Sequence, residues 1–289
     1  VNKKDLALRV DDLNVGDNAA AAHAEEFAKL LEERKAAGLR TTLYSCTEHK
    51  PGNFSLSAPV ESYWGMINAA KMGTAGFLRW AYDAWGEDPL NDATHNAFEP
   101  GDCFLIYPDE KDAENPISKS SVRLERMAEG IRDVNKLMYL QQEMPSSAKE
   151  IEALYDCITT TAGTSRSYMS ATEIQSLVTQ TEAFKAGLDE LTDNYIQYSN
   201  ATEPGLHLFS NSKEMKVGQE YLIPVKLVTD QADKTIVFQS KDPSVAYVDA
   251  KGNVTAKSLG STEITLKAAG YTAVVTITVT TKNLIIKNT

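Results

Sequence analysis

The chemically most informative residues of the sequence are aromatic and acidic, and they follow short apolar segments. In the stretch GFLRWAYDAWGEDP, Trp80, Tyr82 and Trp85 line the exit of such a segment, with Asp83 among them. Tyr44 lies near the end of an earlier apolar segment, RTTLYSC. A pyranose ring presents C–H groups that pack on an aromatic face, and its hydroxyl groups need carboxylates or amides nearby. We therefore predict carbohydrate contact for all five residues.

For the two tryptophans, a structural role is the alternative to carbohydrate contact. For the charged residues Arg79 and Asp102, a structural role is our prediction. Trp80 and Trp85 would pack beneath the following loop, residues 86–100, since tryptophan is highly buried on average. Arg79 alternates with Trp80 and points the other way. A buried guanidinium must meet a carboxylate, so we predict a structural ion pair for Arg79. Asp102 either turns toward a ligand or fixes a turn, and we favour the turn.

The histidines and cysteines give little chemistry. His49 lies on the loop after Tyr44, where a substrate contact is one alternative. His95 and His207 lie in predicted loops, too isolated for a metal site or a catalytic triad. The three cysteines are far apart and lack the CxxC spacing that is typical of zinc and redox sites. We predict no metal site and no cofactor.

The order of predicted elements places the aromatic residues on an α/β sheet. Strands are predicted at 6–15, 40–46 and 76–82, and helices at 18–38 and 59–75, the first with Asn18 as N-cap. Strands alternating with helices through short connections are typical of a parallel sheet. In barrels of this kind, binding and reactive groups cluster at the C-terminal ends of the strands.

The remaining sequence divides into a strand, helices and a β-rich tail. A strand is predicted at 103–109 and a helix at 121–143 that Pro145 ends. Two further helices follow, and Ser170 with Glu173 forms a capping box for the second. SNATEPG (199–205) is the predicted linker, and the Val- and Thr-rich stretch beyond it has the alternation and turn signals of a β-sandwich.

Bulk composition excludes some classes of partner. The 289 residues carry a formal net charge of -11, which argues against nucleic acid because phosphate binding needs clustered Lys and Arg. No apolar stretch approaches the ~18 residues that a membrane span requires. We predict a globular protein with neither nucleic-acid binding nor a membrane span.

The tail resembles a known family. VGQEYLIPVKLVTD, SKDPSVAYVDAKGNVTAKSLGSTEIT and the closing VTITV are similar to bacterial immunoglobulin-like domains of group 2. This resemblance implies a spacer or adhesive module on secreted and surface proteins of bacteria. It implies an extracellular or cell-surface location, with association of the module with the cell wall or surface.

The first part resembles the C-terminal region of glycoside hydrolase family 123 and the related domain-of-unknown-function family 4091. The segments that carry it are GFLRWAYDAW, GDCFLIYP and SVRLERMAEGIRD. The resemblance implies the last strands of a (β/α)8 barrel and removal of N-acetylhexosamine, typically β-linked N-acetylgalactosamine. It implies a retaining mechanism in which the substrate's acetamido oxygen attacks the anomeric carbon while an Asp–Glu pair on an earlier strand assists.

The sequence departs from that family at the catalytic pair. The adjacent pairs Asp109–Glu110 and Asp189–Glu190 do not end strands of a βα series, and a solvated loop or helix surface accounts for each. We therefore assign no catalytic residue, and we expect this chain to be an inactive C-terminal portion of a longer glycoside hydrolase. The alternative is a non-catalytic protein for carbohydrate binding or surface adhesion.

The predicted fold is multidomain. A partial (β/α)8 barrel with a small β element and a helical segment precedes an all-β immunoglobulin-like sandwich. The predicted boundaries are 1–145 for the barrel portion, 146–200 for the helical connector and 206–283 for the sandwich.

Overall fold

A computed structural model describes residues 7–45, 49–94, 98, 100–108, 117–164 and 168–281. The chain forms two compact units. The first contains Val1–Tyr139 and Ile151–Leu188, and the second contains Leu140–Glu150 and Asp189–Thr289. The segment predicted as a connector, 146–200, thus contributes residues to both units.

The elements from Asp12 to Ser199 are, in chain order, β1 (Asp12–Gly16), α1 (Asp17–Ala22), α2 (Ala24–Ala36), β2 (Arg40–Tyr44), β3 (His49–Lys50), α3 (Pro59–Lys71), β4 (Phe77–Leu78), β5 (Ile106–Tyr107), β6 (Lys119–Ser120), α4 (Val122–Glu143), α5 (Ala148–Asp156), β7 (Gly163–Thr164) and α6 (Ala171–Ser199). The single helix predicted at 18–38 is in fact two, separated at His23, and it begins at Asp17 rather than after Asn18. The capping box at α6 is confirmed: Ser170 N–H donates to Glu173 Oε2 at 2.7 Å, and Glu173 N–H donates to Ser170 Oγ at 3.3 Å.

The strands predicted at 6–15, 40–46 and 76–82 overlap β1, β2 and β4, which form the expected parallel sheet. Its order is β1-β2-β4, and both strand pairs are parallel. Val15, Leu43 and Phe77 share one register row and one face of this sheet. That face packs against apolar side chains of α1, α2 and α3, which explains why alternate positions of the strands are apolar.

The opposite face of the sheet is more polar and less covered. There Asn14 Nδ2 donates to Thr42 Oγ1 at 2.7 Å, and Leu78 is half exposed. Parallel sheets are normally covered on both faces. Within the described residues the sheet has three strands and two open edges, so the partial (β/α)8 barrel implied by the family resemblance is not confirmed by this arrangement.

The strand predicted at 76–82 is shorter than expected, since only Phe77 and Leu78 pair with β2. Beyond this pairing, the carbonyl of Ser45 accepts from the Arg79 side chain at 3.3 Å. The chain then changes partner: the carbonyl of Tyr82 accepts from Leu105 N–H at 2.8 Å. The strand predicted at 103–109 is also shorter, because only β5 pairs with β6.

The all-β region follows Gly205. Its strands are β8 (Gly205–Leu208), β9 (Ser212–Lys216), β10 (Glu220–Leu222), β11 (Val225–Val228), β12 (Val237–Ser240), β13 (Ala246–Val248), β14 (Asn253–Ala256), β15 (Gly260–Ala268) and β16 (Tyr271–Thr280). They form sheets of order β12-β15-β16-β9, β10-β14-β13 and β11-β8. Inward-facing residues such as Val254, Ile264 and Ile277 are fully buried in one core, as the predicted sandwich requires.

The second unit also includes the ends of the long helices. Lys149 Nζ donates to the carbonyl of Glu220 at 2.6 Å, and Lys213 pairs with Glu150. Lys213 Nζ also lies 4.8 Å from the ring centroid of Tyr221. These contacts join the start of α5 to β9 and β10 within one unit. Of the helices in the described residues, none has the length and apolar character to cross a membrane.

Candidate functional site

The C-terminal ends of the three parallel strands lie side by side. Gly16, Tyr44 and Leu78 form the last register row of β1, β2 and β4. Tyr44 therefore stands at the centre of this edge, with a glycine on one side and a half-exposed leucine on the other. The aromatic stretch predicted to contact carbohydrate begins two residues after Leu78, so the sheet brings Tyr44 and the start of that stretch to the same edge.

The residues that follow the last row are polar and buried. They are Asp17 after β1, Ser45 after β2 and Arg79 after β4. Asp17 and Ser45 are 1% and 5% exposed, and the side chain of Arg79 is 4% exposed. Each has one buried polar atom without a hydrogen-bond partner among the described residues: Asp17 Oδ2, Ser45 Oγ and Arg79 Nε. Buried polar atoms are normally paired. This edge therefore has one donor, one acceptor and one hydroxyl with remaining hydrogen-bonding capacity.

Arg79 connects three segments around this edge. Its guanidinium pairs with the buried carboxylate of Asp102 and donates to the carbonyls of Ser45 and Asn53, each at 3.3 Å. It also lies 5.4 Å from the ring centroid of Phe54. The predicted structural ion pair of Arg79 is confirmed, and Asp102 is its carboxylate.

His49 is not an exposed loop residue. It is buried, and its Nδ1 pairs with the carboxylate of Asp17, which is also buried. Sequence reasoning missed Asp17. The signal was available, because Asp17 lies two residues after the strand predicted at 6–15, and functional carboxylates collect at the C-terminal ends of such strands. What the sequence did not show was that His49, on the loop after the neighbouring strand, turns inward to meet it.

The aromatic residues after β4 keep exposed surface, and Trp80 also packs against the following loop through Phe98. Trp80, Tyr82 and Trp85 are 44%, 51% and 38% exposed, and Asp83 is exposed as well. The Trp80 ring lies 5.7 Å from the ring of Phe98, tilted by 59°. Trp85 is partly committed to structure, because its Nε1–H donates to the carbonyl of Ile106 at 2.8 Å. The exposed faces are free to contact a ligand, whereas the Trp85 N–H is not.

A buried loop is hydrogen-bonded to the aromatic segment of residues 80–85. Residues 101–106 are buried, and Ala84 N–H donates to the carbonyl of Cys103 at 2.9 Å. Arg123 of α4 donates to the carbonyls of Gly101 at 2.6 Å and Phe104 at 2.9 Å. Burial lowers the pKa of Arg123, but an arginine remains charged at neutral pH. The loop is thus held from α4 on one side and from Arg79 on the other.

A third buried carboxylate fixes the loop after β3. Glu61 of α3 accepts from the N–H groups of Gly52 and Ala58, each at 2.7 Å. Burial raises the pKa of Glu61, although the two backbone donors oppose this rise. Because the carboxylate bridges both ends of the loop that carries Asn53, it helps to hold the carbonyl that accepts from Arg79.

Neither adjacent acidic pair is assigned a catalytic role. Asp189–Glu190 lies on an exposed part of α6, and Asp109–Glu110 lies outside the described residues. Across the part of the chain that the structure describes, no group of three or more His, Cys, Asp and Glu is arranged to hold a metal ion.

Sequence comparison identifies both regions. Residues 2–140 match the family model "Glycoside hydrolase 123, catalytic domain". The resemblance of this region to glycoside hydrolase family 123 is confirmed. Residues 209–279 match the "Bacterial Ig-like domain (group 2)" family, which confirms the second resemblance.

The proteins similar to the chain include two from Clostridium species. The structure of a family 123 glycoside hydrolase from Clostridium perfringens, described in terms of glycolipid glycan hydrolysis, superposes with a TM-score of 0.60 at 30% identity. The match covers 70% of this chain and 36% of that enzyme. An uncharacterised protein of Clostridium acetobutylicum is 31% identical over 78 residues, which are 27% of this chain and 19% of that protein. The chain therefore spans about a third or less of the length of these relatives.

Proposed function

We propose that this chain is the C-terminal portion of a bacterial glycoside hydrolase that removes N-acetylhexosamine, most specifically β-linked N-acetylgalactosamine. The observation that carries the proposal is the likeness to the Clostridium perfringens family 123 enzyme, at 30% identity over 70% of this chain. The exposed aromatic residues after β4 support it further, since Trp80 and Tyr82 offer ring faces at the edge where a parallel sheet collects its binding groups.

The proposed chemistry is substrate-assisted and retaining. The acetamido oxygen of the substrate forms a bond to the anomeric carbon while the bond to the leaving oxygen breaks and that oxygen takes a proton from a carboxylic acid. Water then opens the cyclic intermediate with retention of configuration. We assign the reacting Asp–Glu pair to sequence outside these 289 residues. In this proposal the chain binds the saccharide through Tyr44, Trp80, Tyr82, Asp83 and Trp85.

A turnover assay tests whether the reacting carboxylates lie outside this chain. The chain should release no chromophore from 4-nitrophenyl N-acetyl-β-galactosaminide, whereas a longer protein that adds a strand-terminal Asp–Glu pair should release it. The matching glucosaminide serves as the control for substrate class. Turnover by the chain alone would contradict the assignment of the reacting carboxylates, and inactivity of the longer protein would contradict the proposed reaction.

A non-catalytic role in carbohydrate binding is the second candidate. The exposed Trp80 and Tyr82 favour it, because their contact faces are present without any further sequence. Glycan-array binding that disappears in Trp80→Ala, without hydrolysis by a longer protein, would select this candidate. Tyr247→Ala is the matched control, because Tyr247 is comparably exposed but lies on β13 of the all-β region.

We also assign the protein to the outside of the bacterial cell. The support is the group 2 immunoglobulin-like region, a module that is typical of secreted and surface proteins. In this proposal the all-β region is a spacer or adhesive module for the cell wall or surface. Fractionation of the producing bacterium with an antibody against the chain tests it, and recovery from the cytoplasm alone would contradict it.

A further inference from the structure

The exit of β4 is anchored immediately before its first exposed aromatic residue. The Arg79 guanidinium has one carboxylate and two carbonyl partners on three separate segments. The next residue, Trp80, has nearly half of its surface exposed and contacts the ring of Phe98. A rigidly held residue and an exposed ligand contact are therefore neighbours in the chain.

We propose that Arg79 is a positioning residue for Trp80, acting through its ion pair with Asp102 and its two carbonyl contacts. The guanidinium fixes where the backbone leaves β4 and so fixes the orientation of the Trp80 ring before a ligand arrives. The carbohydrate part of the inference rests on the proposed function, whereas the effect of Arg79 on Trp80 does not.

The energetic argument concerns the entropy of binding. An exposed side chain that must be ordered on binding lowers the affinity, and fixing it beforehand removes that cost. A planar guanidinium that bonds in several directions sets one orientation, whereas an ammonium group is a point charge on a flexible stem. Lysine at position 79 would keep the charge for Asp102 but could not reproduce the geometry that reaches Ser45 and Asn53 together.

The loop that carries Asp102, residues 101–106, is itself held by a second arginine. Asp102 follows Gly101, whose carbonyl accepts from Arg123, and Arg123 lies 5.9 Å from the ring centroid of Phe104. Two buried arginines thus hold the same loop through different atoms. Because the loop is fixed independently by Arg123, Asp102 is a stationary partner for Arg79 and can transmit position to the β4 exit.

Fluorine NMR of the 289-residue protein labelled with 5-fluorotryptophan measures the positioning directly. The chain has three tryptophans, and Trp64 is buried in α3, so its signal is an internal control. Arg79→Lys should shift or broaden the Trp80 signal and leave Trp64 unchanged, and Asp102→Asn should act in the same direction. The matched control is Arg40→Lys, because Arg40 is an exposed arginine of β2. An unchanged Trp80 signal in both Arg79→Lys and Asp102→Asn would overturn the proposal.

A double-mutant cycle in carbohydrate affinity separates positioning from a general structural effect. Arg79→Lys should weaken binding of an oligosaccharide ending in N-acetylgalactosamine by up to about tenfold, the cost of ordering one side chain on binding. In the Trp80→Ala background the same change should have no further effect, because coupled residues are non-additive. Equal weakening in both backgrounds would overturn the proposal. Absence of binding by the wild-type chain would instead contradict carbohydrate contact in the proposed function, and the NMR result would still decide the role of Arg79.

Discussion

The fully buried Arg34 of α2 offers the clearest test of how the first unit is held together. It has no exposed surface, and its guanidinium donates to one hydroxyl and four backbone carbonyls, those of Thr41, Ala7, Val10, Asp11 and Arg40. The hydroxyl contact, to Thr41 Oγ1, measures 2.7 Å. This side chain therefore joins α2 and β2 to the segment that leads into β1.

Arg34→Met keeps an unbranched apolar side chain that ends near the position of Nε, and it removes all five hydrogen bonds. A bond from a charged donor contributes about 1.5–3 kcal/mol, but burial of the guanidinium offsets much of the sum, so we expect a net loss of about 3–5 kcal/mol in the free energy of unfolding. A unit of this size loses about 2–4 °C in Tm per kcal/mol, which predicts a decrease of about 6–20 °C. The Tm of Arg34→Lys should lie between those of the wild type and Arg34→Met, because lysine keeps the charge and at most three donors.

Tryptophan fluorescence during thermal or urea unfolding is the assay, because Trp64, Trp80 and Trp85 all belong to the first unit. The matched control is Arg40→Met. Arg40 is an exposed arginine of β2 that pairs with Asp12 at 2.8 Å, and its loss should cost less than about 1 kcal/mol. Equal effects of Arg34→Met and Arg40→Met would refute the argument that burial and bond number determine the cost.

Two further predictions concern a glycine and an ion pair. Gly101→Ala should destabilise the first unit by about 2 kcal/mol or more, because φ is +79° and the new Cβ would clash with Nη1 of Arg123. Gly163→Ala, with nothing within 4 Å of its Cβ, should be near neutral. The bond from Lys50, followed by the capping bonds with Ser170, lowers the pKa of Glu173 to about 2, so their stabilising effect should be present above pH 4.5 and disappear as the pH falls toward 2. In Lys50→Ala, the NMR titration midpoint of Glu173 should rise toward 4.5, and an unchanged midpoint would show that the lysine is not the cause.

The parallel sheet was predictable because several sequence signals agree. Alternation in β2 puts Leu43 on the covered face and Tyr44 on the other, and the predicted helices between strands have the length of crossover connections. The same alternation predicted that Arg79 points away from its aromatic neighbour and needs a carboxylate. These inferences depend on local pattern and on the cost of burying a charge, both of which a single sequence contains.

The length of the strands was not predictable for the same reason that the site was only partly predictable. Beyond the β4 ladder, the carbonyl of Ser45 accepts from a side chain, and β-propensity does not report such a contact. The pairing of Asp17 with His49 also depends on the path of a loop between them. Contacts between a side chain and a distant backbone or loop depend on three-dimensional closure, which periodicity and composition do not specify.

The discontinuous composition of the second unit has a consequence for how this protein can be dissected. Leu140–Glu150 and Asp189–Thr289 belong together, whereas Ile151–Leu188 belongs to the other unit. A gene fragment beginning at the linker would encode the sandwich without the lysine and glutamate of α5 that contact β9 and β10. A single protease cut between Leu188 and Asp189 would likewise leave Leu140–Glu150 on the other product. Neither unit can be cloned as one uninterrupted piece.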